Sequence, residues 1–94
     1  MEIIKQTETF NLVDTTNAFT MSGNATREAS GALNVYFSVN KVSGETVGNC
    51  NYNKYAESET VNFGVNCPEE NRDELTAYAD TVVDYVLEYF KANN

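Results

Sequence analysis

Residues 31–52 read GALNVYFSVNKV, SG, ETVGNCNY, and the alternation in them decides the fold. Leu33, Val35, Phe37 and Val39 point one way along an extended chain. Asn34, Tyr36, Ser38 and Asn40 point the other way, because successive side chains of a strand leave opposite faces. Ser43-Gly44 then supplies a two-residue hairpin turn, since Gly accepts positive φ without steric cost. Such a turn pairs Phe37 with Cys50, Val35 with Tyr52 and Val39 with Gly48, so every inward residue meets an inward candidate. A slip of one residue carries Asn49 and Asn51 into the core, which makes the register a strong expectation.

The same parity extends in both directions. Residues 56–58 turn the chain so that Val61, Phe63, Val65 and Cys67 share the face of Cys50 and Tyr52. Upstream, a loop at residues 28–30 brings Phe19, Met21 and Ala25 onto that face. The cluster DTTN at 14–17 is a turn that sets Phe10 and Leu12 beside Met21 and Phe19. The first strand fits least well, because Gln6 and Glu8 fall on its inward side.

Past Pro68 the period becomes helical. Pro68 suits a first turn, where its missing N–H has no partner to lose, and Glu69 and Glu70 complement the positive end of the helix dipole. Asn66 is the chemically better cap. Leu75, Ala79, Val82, Val86 and Phe90 form one stripe, flanked by Tyr78, Val83, Tyr85 and Tyr89. The stripe must bury itself against the inner face of the sheet. The expected fold is α+β: a five-stranded antiparallel meander over residues 1–67, with a long C-terminal helix over 68–91 packed across one face as a two-layer sandwich. With 94 residues the chain makes a single domain.

Composition limits what such a domain does. Fourteen Asp and Glu stand against six Lys and Arg, for a net charge of −8, with no His. A direct nucleic-acid contact needs a basic patch that these cations do not build, and anionic membranes repel the chain. The first residues, MEIIKQTETF, lack the apolar core of a signal peptide, and no run is long enough to span a bilayer, so a cytoplasmic location is expected.

Catalytic chemistry finds little support. Cys50 and Cys67 fall on neighbouring strands but out of step by about two residues, roughly 8 Å or more, beyond disulfide reach. They read as reduced, core-packed thiols. A Cys nucleophile needs a base, and two Cys without His fall short of a zinc site. No nucleophile elbow, phosphate loop or calcium loop is present. The pairs Glu57/Glu59 and Glu69/Glu70 belong to a turn and a helix start, not to two contrasting environments. No enzyme, no cofactor and no metal site are expected.

Two surfaces remain as candidates. On the outer helix face, Asp73, Asp80, Asp84 and Glu88 form an acidic stripe, the last three spaced four apart. On the outer sheet face, Asn34, Tyr36, Asn51, Asn53 and Tyr55 stand among Thr, Ser and further Asn residues with almost no charge. Thirteen Asn residues are present, although Asn is poor in strands, so their place on this face calls for a reason. The reading favoured is a non-catalytic protein-binding module whose acidic stripe docks on a basic groove of another protein, with Tyr78, Tyr85 or the sheet tyrosines as anchors. In size, charge and lack of chemistry the chain looks like the small acidic proteins of phages and mobile elements that inhibit nucleic-acid-handling machinery by stoichiometric binding; no motif carries the comparison. The alternative is a structural or accessory protein that forms a homodimer through the sheet face, with Tyr36 and Asn51 at its centre.

Overall fold

A computed structural model describes residues 7–92. Five strands run in chain order through one antiparallel sheet: β1 (Glu8–Thr15), β2 (Phe19–Arg27), β3 (Leu33–Lys41), β4 (Thr46–Lys54) and β5 (Val61–Asn66). A 3₁₀ turn (Glu69–Asn71) leads into a single helix, α1 (Arg72–Ala92), which lies over one face. The architecture is the expected α+β meander with a helical cover. Gln6, one of the misfits of the first strand, lies outside the described residues.

Parity holds along the sheet. Phe37 and Val39 are fully buried, Val35 nearly so, and they meet Leu75, Ala79, Val82 and Val86 from the helix. The β3–β4 pairs are Phe37 with Cys50, Val35 with Tyr52 and Val39 with Gly48. The turn that sets this register is not the two-residue one, however. The Lys41 amide donates to the Glu45 carbonyl at 2.7 Å and the Gly44 amide to the Lys41 carbonyl at 2.8 Å, so residues 42–44 form a three-residue turn. Gly44 sits there at φ +100°, a conformation only Gly adopts without strain. Asn40 then faces Thr46 while Val39 faces Gly48, which leaves Val47 as an extra residue in β4. This bulge restores the expected register and turns Val47 inward, where it is buried.

The β1–β2 hairpin is longer than expected. Phe10 stands opposite Ala25 and Leu12 opposite Gly23, not beside Met21 and Phe19. Asp14 and Thr15 continue the strand, and the tip begins at Thr16. The Thr16 hydroxyl accepts from the Phe19 amide at 2.9 Å, and the Thr16 amide donates to the Phe19 carbonyl at 2.7 Å. A Thr side chain that mimics a backbone acceptor moved the turn past the DTTN cluster's start. Gly23 fits the inward line because β2 and β3 approach closely there: a Cβ on it would lie 2.5 Å from the Phe37 Cα.

The two charged residues on the inward side of β1 each find a partner. Glu8 faces Arg27 across the pair, with Arg27 Nη2 2.7 Å from Glu8 Oε1. Asp14 accepts from the Tyr78 hydroxyl at 2.7 Å. At the helix start, Asn66 is not the cap. It is the last residue of β5, paired with Asn49, and Pro68 stands at the cap position with no side-chain bond. The Asn71 amide closes the 3₁₀ turn on the Pro68 carbonyl at 2.9 Å instead. Among the described residues, no helix is long and apolar enough to cross a membrane.

Candidate functional site

The outer ridge of α1 follows from helical geometry. With Leu75, Ala79, Val82, Val86 and Phe90 buried, positions 73, 80, 84 and 88 are carried to the opposite side, and all four are exposed. Asp73 lies 3.6 Å from the Arg72 Nε, which also serves Glu69 through Nη1 at 3.0 Å. No ion pair reaches Asp80, Asp84 or Glu88 among the described residues. Their positions are about 6 Å apart along the axis, close enough for the carboxylates to repel, with only Lys91 in the last turn nearby to offset them.

The outer sheet face is built in rows, because antiparallel register aligns one residue from each strand. Asn11, Asn24, Tyr36, Asn51 and Gly64 form the central row. Thr9, Thr26, Asn34, Asn53 and Asn62 form the next, and Val13, Ser22, Ser38, Asn49 and Asn66 the row on the other side. Each row spans about 19 Å at the usual strand spacing, and none contains a charged residue. The Asn side chains bond to one another: Asn51 Nδ2 donates to Asn53 Oδ1 at 3.2 Å, and Asn53 Nδ2 donates to Asn34 Oδ1 at 2.7 Å. Asn51 also lies over Gly64, where a Cβ would meet its Oδ1 at 2.8 Å. Carboxamides thus stiffen a surface that Lys and Glu usually occupy. Tyr36 rises from the middle of it, half exposed. Tyr55 does not share the rows; it lies just past β4, where its carbonyl accepts from the Ser58 amide at 3.2 Å.

A third feature was not anticipated. The helix leaves the margin over β1 partly uncovered, and a groove opens there in two adjoining lobes. One of about 300 Å³ is lined by Leu12, Asp14, Met21, Tyr78, Val82 and Tyr85. The other, about 230 Å³, is lined by Phe10, Leu12, Ala25, Tyr85, Tyr89 and Phe90. The signal in the sequence was the spacing of Tyr78, Tyr85 and Tyr89, which widens the apolar arc of α1 toward one flank. Aromatic contacts frame the groove: Phe10 meets Tyr89 and Phe90 edge-on, each at 5.4 Å between ring centres.

The thiols are not bridged, as expected; Cys50 is buried and Cys67 partly so. Burial, with a smaller contribution from Cys67, pushes the Cys50 thiol up to about 11. Burial, followed by the hydrogen bond to Asp14 and its charge, raises Tyr78 well above the ordinary tyrosine value, so its hydroxyl stays a donor. Among the described residues, no group of three or more His, Cys, Asp or Glu side chains is placed to hold a metal ion. Comparison of the chain with protein-family models, curated proteins and solved structures gave no match.

Proposed function

We propose that the chain is a non-catalytic protein-binding module that acts by stoichiometric contact. Its acidic ridge, Asp73, Asp80, Asp84 and Glu88, seats on a basic groove of the partner. Grooves of that kind hold phosphates in nucleic-acid-handling proteins, and occupying one inhibits its owner. The observation that supports this reading is the separation of charge. The ridge carboxylates at 80, 84 and 88 stand exposed and make no ion pair among the described residues, with only Lys91 near them, while the three rows of the opposite face carry no charge at all. A uniformly solvating surface mixes its charges, whereas a plate with one negative face aligns itself in a partner's field before contact. The test is capture from lysate of the host cell on immobilised wild type and on Asp80→Lys/Asp84→Lys, at low and high salt. One protein retained in fixed ratio by wild type at low salt, and lost with the variant, supports the reading. Equal retention by both removes the ridge from it.

A second reading draws on the rows of the sheet face. They form a broad surface that two copies of a chain with charge −8 can share without bringing carboxylates of the three rows together. In such a homodimer Tyr36 and its pair Asn51 lie near the centre. Sedimentation at high concentration distinguishes it: monomer alone contradicts this reading and leaves the first untouched.

A further inference from the structure

We propose that the open edge of β1 and the groove beside it bind an extended segment of another protein, one with apolar side chains at alternate positions and a cation at the end near Asp14. The proposal goes beyond the acidic-ridge reading and does not depend on it, since no ridge residue lines the groove.

Backbone geometry comes first. Among the described residues β1 pairs with β2 alone, so one side of it is an edge. Opposite residues of an antiparallel pair alternate between bonded and non-bonded positions. Thr16 bonds to Phe19 through its amide, so the even-numbered residues of β1 face β2. The Glu28 amide bonds to the Ala32 carbonyl at the turn between β2 and β3, so even-numbered residues of β2 face β3 and odd-numbered ones face β1, which fixes the same alternation. Thr9, Asn11, Val13 and Thr15 therefore turn their N–H and C=O groups to the open side. A strand added there completes the ladder, the means by which sheet edges bind peptides.

The side chains of that added strand meet the groove. On one face of a strand they recur about every 6.8 Å. The two lobes are offset by the same step, since one lies between Phe10 and Leu12 and the other between Leu12 and Asp14. Residues i and i+2 of the guest thus enter separate lobes, beneath Tyr85, which lines both and is 72% exposed. Val13, 80% exposed on the other face of the edge, offers a contact to the residue between them. Charge selects the guest. Glu8 is already paired with Arg27, but among the described residues Asp14 has only a neutral hydroxyl as partner, and a net charge of −8 disfavours acidic segments.

The test uses fluorescence anisotropy with the labelled peptide KTVTLTVTK and the full chain. A control, KTVVTTTLK, has the same composition but no apolar pair at i and i+2. Saturable binding of the first, with at least about tenfold weaker binding of the second, is expected. Val13→Pro deletes one outward N–H without touching the β1–β2 ladder, and Tyr85→Ala removes the shared wall of the lobes without opening the core. Each is expected to weaken binding by about tenfold while the melting transition persists. Three results overturn the proposal: equal binding of the two peptides, no binding of either, or unchanged binding by both variants. A dimer of the free chain that Val13→Pro dissolves makes a second copy the occupant and overturns it too. So does a tenfold gain in affinity on Ile3→Ser/Ile4→Ser, which makes the chain's own first residues the occupant.

Discussion

Arg27 donates through Nη1 to the backbone carbonyl of Phe90 at 3.3 Å, and its guanidinium lies 4.8 Å from the centre of the Phe90 ring. One side chain thus ties β2 to the last turn of α1, where the negative end of the helix dipole favours a cation. The same group holds Glu8 at 2.7 Å and so fastens the start of β1. Arg27→Ala is expected to lower stability by about 2 kcal/mol, because a charged hydrogen bond, a cation–π contact and a packed stem disappear together. Glu8→Gln, at a more exposed position, loses less than about 1 kcal/mol. Urea denaturation of the two variants measures both, and equal effects contradict the role given to Phe90.

Gly23 is fixed by space. A methyl group there would stand 2.1 Å from the Tyr36 carbonyl oxygen and 2.5 Å from the Phe37 Cα, backbone that cannot yield without parting β2 from β3. Gly23→Ala is expected to destabilise by about 2 kcal/mol or more. Gly64→Ala meets only the flexible end of Asn51, so it remains within about 1 kcal/mol of wild type. Thermal melts of the pair decide this, and a mild Gly23→Ala contradicts it.

The inner face of the sheet was legible because its period is strict: Phe37, Val35 and Cys50 had no other place to go. Register through β3 and β4 followed from it, although the turn did not. Where Ser43-Gly44 reads as a two-residue turn, the burial of Val47 favours a longer turn and a bulge, and the two changes cancel in the register. The β1–β2 hairpin was misplaced because Asp14 and Thr15 carry turn chemistry, while Tyr78, 64 residues away, satisfies Asp14 within a strand. Asn66 had the right chemistry for a cap and lies on the wrong face of the sheet to serve as one. The Asn rows were visible as parity, but not the bonds among Asn34, Asn51 and Asn53. The groove depends on how α1 sits across the strands, which packing sets and periodicity does not encode.

The Cys50 thiol gives the protein an alkaline limit. Its ordinary value is 9.0, and burial raises it to about 11 in the folded chain. Below pH 9 the thiol is protonated in both states and its contribution is complete. Between the two values only the unfolded chain loses the proton, so stability falls with rising pH by on the order of 1 kcal/mol per pH unit. Tyr78, raised from its ordinary 10.0, acts in the same direction above that pH. Urea midpoints from pH 8 to 11 are expected to decline, less steeply for Cys50→Ala. Parallel declines contradict the assignment to Cys50.

Asp84 has a carboxylate on either side of it along the ridge, at Asp80 and Glu88. Asp84→Lys converts two repulsive i,i+4 relations into attractive ones and is expected to stabilise the fold by about 0.5–1 kcal/mol. Under the proposed function the same variant is expected to lose partner association. A stabilised variant with unimpaired association contradicts the ridge's role.

The most direct measurement is the association rate of the captured partner, followed against ionic strength for wild type and Asp80→Lys/Asp84→Lys. Charge-steered docking predicts that at low salt the variant associates at least about tenfold more slowly than wild type, and that the two rates converge as salt screens the ridge. Equal rates at low salt would contradict the account.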